Sequence, residues 1–269
     1  MPELPEVETT CRGIAPYLRG AKIRRVVVRQ PQLRWPVPAE VMALQEMPVV
    51  AVRRRAKFVL IDLAAGQLLI HLGMSGSLRV LPEGTPACKH DHVDVLLDSG
   101  KLLRLNDPRR FGAVLWSDQA DSHPLLGHLG PEPLEPGFDG DWLTRRAAGR
   151  KQSVKTFIMD NRTVVGVGNI YAQESLFLAG IHPSRQAGRI SSARYIRLAE
   201  AIQAVLRRAI TAGGTTLKDF SRVDGQPGYF AQQLSVYGRA GEPCLICGTV
   251  LKGGRHGQRA TCYCPQCQR

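Results

Sequence analysis

What this chain lacks narrows its class before any motif is read. No apolar run approaches the roughly 18 residues that a membrane span needs, and the acidic N-terminus has neither the basic start nor the apolar stretch of a secretion signal. A cytoplasmic location without membrane attachment is therefore expected. Aromatic residues are few, 6% of the 269, yet 43% are hydrophobic, enough for a real core and, at typical domain sizes, for about two domains. There is no internal repeat and no low-complexity tract. Acid is the other shortage: 23 Asp plus Glu stand against 36 Lys plus Arg, a net charge of +13. An excess of that size usually serves a polyanion, nucleic acid by default, although a scattered solubilising charge would give the same sum.

Four of the seven cysteines, Cys244, Cys247, Cys264 and Cys267, form two CxxC knuckles separated by 16 residues. That spacing matches a tetrahedral four-thiolate zinc site with no position open for substrate, so one structural zinc ion is expected. A disulfide pair is the competing reading, which reducing conditions disfavour. Cys11, Cys88 and Cys262 read as free thiols.

From Lys22 to about Trp116 apolar residues alternate and β-branched residues abound, with turns at AAG and DSG, which predicts an antiparallel sandwich or barrel. Ahead of it, Val7, Cys11, Ile14 and Leu18 recur at helical spacing, with Glu3, Glu6 and Glu8 in the first turn where the helix dipole favours anions. The stretch GPEPLEPGFDG breaks both periods and reads as an interdomain linker. Beyond it the period is helical, up to Gly213 and Gly214. The expected division is 1–130 for the β domain, 131–140 for the linker, 141–235 for the helical domain and 236–269 for the cysteine finger.

Several residues could carry chemistry. With Met1 trimmed, Pro2 becomes a secondary amine; an α-amino group titrates at about 7.7–8.0, and such an amine attacks carbonyl carbons to give a cationic iminium, an electron sink suited to elimination on sugars. A proline here also simply starts a helix. In Gly166-Val167-Gly168-Asn169, glycines ahead of a helix could admit a phosphate, or form a tight helix–helix turn. The basic run Arg145, Arg146, Arg150, Lys151 and Lys155 leads into that region and favours phosphate contacts. In Asn106-Asp107-Pro108-Arg109-Arg110-Phe111-Gly112 a turn displays an arginine and an aromatic, and in Gly73-Met74-Ser75-Gly76 a methionine sits among glycines. Arginine can bond a base edge, and Phe and Met can wedge between base steps and fill the hole left by a flipped base. Each loop alone also reads as an ordinary hairpin tip, and Lys57 as a solvated strand lysine. The basic, Gly-rich tip Lys252 to Arg259 suits a zinc hairpin laid on DNA. Arginine does not titrate, so Arg259 acts through charge and forked hydrogen bonds.

Together these stretches resemble the formamidopyrimidine-DNA glycosylases, bacterial enzymes that remove oxidised purines. The resemblance runs through MPELPEVE, Lys57, NDPRRFG, VVGVGNIYAQESLF, GGTTLKDF, GQPGYFAQQLSVYGRAGEPC and RATCYCPQCQ, essentially the whole chain. It implies an α+β protein: an N-terminal antiparallel β-sandwich with a flanking helix, a helix-two-turn-helix domain and a C-terminal four-cysteine zinc finger hairpin. It also implies a monomer that works on damaged double-stranded DNA at the bacterial nucleoid. By position, Pro2 resembles the Schiff-base nucleophile and Glu3 the proton donor and acceptor that helps open the sugar. Lys57 resembles the lysine of β-elimination, and Arg259 the residue assigned to δ-elimination. Met74, Arg109 and Phe111 match a void-filling trio, with Arg109 reading the cytosine opposite the lesion. His90, Arg109, Arg150, Asn169 and Tyr237 match DNA contacts, and the segment from Leu217 resembles the loop that covers the flipped base. The resemblance implies a bifunctional glycosylase and AP lyase for 8-oxoguanine and formamidopyrimidines. The related endonuclease VIII-like branch, directed at oxidised pyrimidines, fits PELPEVE and the Arg109–Phe111 loop less well. A non-catalytic zinc-finger DNA-binding protein would need the basic surface but no free Pro2. Cys262 departs from the aromatic or plain apolar residue expected before the third ligand.

Overall fold

The computed structural model describes residues 1–119, 122–214 and 233–269, so the segment expected to cover a flipped base, from Leu217, lies outside the described residues. The chain divides into two compact units, one built on residues 1–128 and the other on 129–211 and 230–269.

In the first unit, α1 (Leu4–Leu18) precedes β1 (Lys22–Val28), a one-turn helix α2 (Ala39–Met42), and then β2 (Met47–Arg55), β3 (Phe58–Leu63), β4 (Gly66–His71), β5 (Ser77–Pro82), β6 (Asp91–Leu97), β7 (Lys101–Asn106) and β8 (Ala113–Ser117). All neighbours pair antiparallel, in the order β5-β7-β6-β1-β2-β3-β4-β8. The link in the middle is slender: β1 and β2 register only through Lys22–Pro48 and Ile23–Met47. The sheet turns a corner there and becomes two four-stranded halves, a β-sandwich, whose inward residues form one core. Val59, Ile61, Leu68 and Ile70 come from one half, and Val93, Val95, Leu103 and Leu105 from the other. The α1 stripe Val7, Cys11, Ile14 and Leu18 belongs to the same core, as the helical spacing predicts. Packed thus, the Cys11 thiol is pushed up to about 12 by burial and the nearby Glu8 carboxylate, and is inert as a nucleophile at neutral pH.

One hairpin carries no glycine or asparagine signal. β2 turns into β3 through Ala56 and Lys57, with Ala56 at a φ of 53°. A left-handed alanine costs about 1–2 kcal/mol. The turn is held by Arg54, whose Nη1 donates to the Ala56 carbonyl at 3.1 Å while its Nε donates to Glu8 on α1 at 3.1 Å.

On the opposite half, Arg104 is buried and makes a two-pronged contact with Asp94, both bonds 2.8 Å, while also reaching Asp91 and the carbonyls of Thr85 and Pro86. Arg29 and Arg79 complete the cluster from β1's end and β5. It ties down the loop that leads to His90.

A short helix, α3 (Pro124–Gly127), ends the first stretch of the first unit, and the second unit contains α4 (Gly140–Ala147), α5 (Val154–Met159), α6 (Asn169–Leu178), α7 (Ser192–Thr211) and a two-stranded hairpin, β9 (Lys252–His256) and β10 (Arg259–Tyr263). The stretch from Gly130 to Gly140 is irregular, as its prolines and glycines predict, but it is packed against the helices. The Gly130 N–H donates to the Asn161 carbonyl at 2.7 Å, and Phe138 is buried. No helix among the described residues is long and apolar enough to cross a membrane.

Burial raises the carboxyls of Asp91 and Asp94. Hydrogen bonds from the Cys88 N–H and Asn106 to Asp91, and from Arg104 and Arg29 to Asp94, outweigh it and hold both below their ordinary value of 3.8. Groups depressed in the folded state stabilise it fully above that value and lose this contribution as pH falls through the folded pKa. Resistance of the sandwich to urea should therefore fall as the pH drops below 3.8 and stay level well above it. Arg104→Ala, which strands two buried carboxylates, should cost about 3–5 kcal/mol at neutral pH, read from the urea midpoint.

Candidate active site and nucleic-acid interface

Strand register gathers the candidate residues of the first unit at one end of one sheet. Phe58 pairs with His71, and His71 with Ala113, so the Ala56–Lys57 turn, the loop 72–76 and the loop 107–112 all leave the sheet together. The two loops line a cavity of about 580 Å³ whose walls include Met1, Arg34, His71, Met74, Arg110 and Phe111. Met1 is half-buried there and Pro2 behind it is buried. Glu3, 2% exposed, caps α1 in a reciprocal capping box: Glu6, itself fully buried, accepts the Glu3 N–H at 2.8 Å. A chain end that would ordinarily fray is thus fixed against the cavity.

Lys57 is half-buried, and its charge is felt inside the same cavity. The His71 imidazole is pushed down to about 4 by burial first and then by Lys57 and Arg34. It is neutral at physiological pH. Its Nδ1 accepts the Gly73 N–H at 3.0 Å, which leaves the proton on Nε2. His71 was not singled out in the sequence; its place two residues ahead of a GMSG tip is the only signal it carries.

The loops 72–76 and 107–112 touch backbone to backbone. A Cβ on Gly73, whose φ is +63°, would lie 2.4 Å from the Gly112 nitrogen and from the Phe111 carbonyl carbon. At the tip, the Arg109 guanidinium sits 5.0 Å from the centre of the Phe111 ring, and both side chains are exposed, while Met74 is half-buried. His90 is half-buried beside His92, ring centres 6.4 Å apart.

In the second unit a shared carbonyl brings residues together. The Ala260 carbonyl accepts from Asn169 Nδ2 at 3.2 Å, Gln173 Nε2 at 3.2 Å and Lys155 Nζ at 3.1 Å. This fixes the start of α6 beside exposed Arg259, the first residue of β10. The β9–β10 turn uses Gly257 and Gln258 at φ of 56° and 62°, the left-handed pair a two-residue hairpin requires. Glu174, buried on α6, accepts the N–H groups of Ser235, Val236 and Tyr237 at 2.8–2.9 Å and so orients the Tyr237 segment. Arg150 enters none of these bonds and is exposed after α4. Lys155, expected among the phosphate-facing cations, is only 1% exposed and spends its ammonium on Thr261 Oγ1 at 2.7 Å and on Ala260. It braces the finger instead.

The sulfur atoms of Cys244, Cys247, Cys264 and Cys267 all lie within 4.8 Å of one another, with Cys244–Cys267 at 3.9 Å and Cys247–Cys264 at 3.5 Å. Zinc–sulfur bonds of about 2.3 Å put tetrahedral sulfurs about 3.8 Å apart, so the set fits one zinc ion. Cys262 is a core residue of the finger, buried among Phe177, Val236 and Leu251, with its N–H on Gln173 Oε1 at 2.6 Å. A thiol thus fills the place expected for a plainer apolar side chain.

Comparison with known proteins agrees along the whole length. Residues 1–114 match the formamidopyrimidine-DNA glycosylase N-terminal domain, 129–221 the H2TH domain of the same enzymes, and 241–269 a zinc finger found in FPG and IleRS. The chain belongs to the formamidopyrimidine-DNA glycosylase family. A formamidopyrimidine-DNA glycosylase of Alcanivorax borkumensis is 68% identical over 269 residues, covering all of both chains. The MutM (Fpg) protein of Thermus thermophilus superposes with a TM-score of 0.90 at 36% identity, covering 99% of this chain and 98% of that one. Lactococcus lactis Fpg in complex with DNA containing an abasic site gives 0.91 at 29% identity, covering 99% of each. The fold shared with formamidopyrimidine-DNA glycosylases is the one implied by the sequence: β-sandwich, helix-two-turn-helix and four-cysteine zinc finger.

Elemental analysis should find one zinc per chain, and Cys247→Ala should lose it together with amide-exchange protection across β9 and β10, while protection in the sandwich persists. Full zinc occupancy in that variant would remove Cys247 from the ligand set.

Proposed function

We propose that this chain is a base-excision-repair enzyme, a bifunctional DNA glycosylase and AP lyase that removes 8-oxoguanine and formamidopyrimidines from duplex DNA. The observation that carries the reading is Met1 seated in a cavity rimmed by Met74, Arg110 and Phe111 and reached by the charge of Lys57. Trimming Met1 leaves the Pro2 nitrogen as a secondary amine at the wall of that cavity. A basic chain with wedge-shaped loops presents a nucleotide sugar to such an amine. The family, and the relative solved on abasic-site DNA, support the same substrate class.

The chemistry follows from the residues. The Pro2 nitrogen attacks C1′, the bonding pair of the glycosidic bond leaves with the damaged base, and the proton shed by the amine neutralises the departing base. Glu3 gives a proton to the ring oxygen as the sugar opens, which leaves a C1′ iminium. That cation acidifies C2′: loss of a C2′ proton, to which Lys57 is assigned, sends electrons outward to expel the 3′ phosphate. A second proton loss, from C4′, expels the 5′ phosphate. Arg259, always charged, holds a phosphate through forked hydrogen bonds during this second elimination. Met74 and Phe111 occupy the space of the flipped nucleotide, and Arg109 bonds the cytosine left opposite. His90, Arg150, Asn169 and Tyr237 hold the backbone. In this reading residues 1–130 carry catalysis, 141–235 grip DNA and 236–269 form the finger, in a monomer at work in the bacterial cytoplasm.

Borohydride should trap the mature protein covalently on lesion DNA, with the adduct mapped to Pro2 by mass spectrometry. A chain shown to lack Met1 that gives no adduct would sink the enzyme reading and leave the DNA-binding one. Arg109→Ala should reduce discrimination between cytosine and adenine opposite the lesion by about tenfold or more, the worth of a good forked contact to a base; an unchanged preference would reject its role.

A further inference from the structure

We propose that Asp107 is a positioning residue that locks the Met74 loop to the Arg109–Phe111 loop, so that the void-filling groups enter a duplex as a single wedge. The inference rests on the void-filling reading above and adds to it the device that holds the wedge together.

Asp107 was read from the sequence only as part of a turn-forming triplet. It is fully buried, and each of its polar groups is bonded to a segment that carries a candidate DNA-facing residue. Oδ1 accepts the Ser75 hydroxyl at 2.9 Å, one residue from Met74, and the Arg109 N–H at 3.3 Å. Oδ2 accepts the Gly112 N–H at 2.7 Å, one residue from Phe111. Its own N–H donates to the His90 carbonyl at 3.0 Å, and its carbonyl accepts from His92 Nε2 at 2.8 Å and from the Arg110 N–H at 3.2 Å.

Why a link is needed follows from the contact between the loops. At Gly73 and Gly112 the loops meet as bare backbone, which lets them come close but provides no interlocking side chains to fix their register. Arg110, at a φ of 55°, also holds its part of the turn in a conformation that is costly without support. Wedging between bases loads both loops from the tip, and loops sliding past each other would present Met74 and Phe111 separately. A buried carboxylate that accepts from both loops resists that motion, because losing the Ser75 hydroxyl leaves Oδ1, away from water, with only the longer bond from the Arg109 N–H at 3.3 Å. The Ser75 bond is the single side-chain tie across the two loops among these; the Arg109 and Gly112 bonds stay within the loop that Asp107 itself begins.

Two variants separate the tie from the turn. Ser75→Ala cuts only the link between loops. Asp107→Asn can keep Gly112 on its oxygen and turn its amide toward Ser75, whose hydroxyl reverses to accept, but it loses the Arg109 N–H. Duplex DNA with 2-aminopurine opposite an abasic-site analogue reads insertion of the wedge as a fluorescence change on binding. In S75A that change should shrink and turnover on duplex lesion DNA should fall by about fivefold to tenfold, the worth of one such hydrogen bond. D107N should lie between S75A and wild type or match S75A, and the double variant should be no worse than the poorer single one. Cleavage of a preformed abasic site in single-stranded DNA, where no void exists to fill, should be unchanged in all three. Loss on the single strand in parallel with the duplex would mean general damage and overturn the proposal, as would an undiminished fluorescence change in S75A. Met74→Ala and Phe111→Ala set the scale. If they too leave the fluorescence untouched, the void-filling reading falls and takes the clamp with it; if they abolish it while S75A does not, the clamp alone falls.

Discussion

A chain terminus is where chains are least ordered, and the first unit is arranged to hold its own terminus in place. The first residues cannot rely on backbone on both sides, so their order comes from α1: a capping box ties Glu3 to Glu6, and the stripe Val7, Cys11, Ile14 and Leu18 sinks the helix into the sandwich core. Arg54 then joins the helix to the sheet by bonding Glu8 and the Ala56 carbonyl at once. The terminus and Lys57 are thereby referred to one frame, and the strand register Phe58–His71–Ala113 refers the loops 72–76 and 107–112 to it as well. Burial at this sheet end also keeps His71 neutral, so the cavity presents an uncharged imidazole among cations.

A related economy governs the acidic residues. The chain has few, and five of them are turned inward to hold basic or backbone groups in place: Glu6 at the helix start, Asp91 and Asp94 beneath Arg104, Asp107 between the loops, Glu174 under Tyr237. Carboxylates accept several hydrogen bonds from converging donors, which suits them to fastening loops. Spent this way, they leave the outward balance of charge to Arg and Lys, as binding a polyanion requires.

Legibility in the sequence followed the distance over which a residue finds its partners. The α1 stripe, the alternating strands, the turns at AAG and DSG, and the cysteine knuckles repeat at local periods, and each became the element its spacing predicts. The hairpin at Ala56 was hidden because a left-handed alanine bears no turn signature; tertiary bonds from Arg54 enforce it. Lys155 looked like one more cation in a basic run, yet its ammonium is buried against a strand more than a hundred residues later. Asp107, Glu174 and His71 were missed for the same reason: each acts on groups that only the folded register brings near. The candidate site was recognisable mainly as a set of family-like stretches, and its internal fastenings were not.

The slender corner between β1 and β2 bears on how the protein is made. Most of β1's ladder is with β6, some seventy residues further along the chain, while β2 with β3 and β3 with β4 pair as immediate neighbours. Local hairpins close early, but non-local strands wait for their partners and must first overcome loop-closure entropy. On the ribosome, β1 therefore remains an open edge until β6 emerges, and the core that seats α1 stays incomplete with it. The residues synthesised first are thus among the last to be fixed, because α1 finds its full seat in the core only once the sandwich is whole.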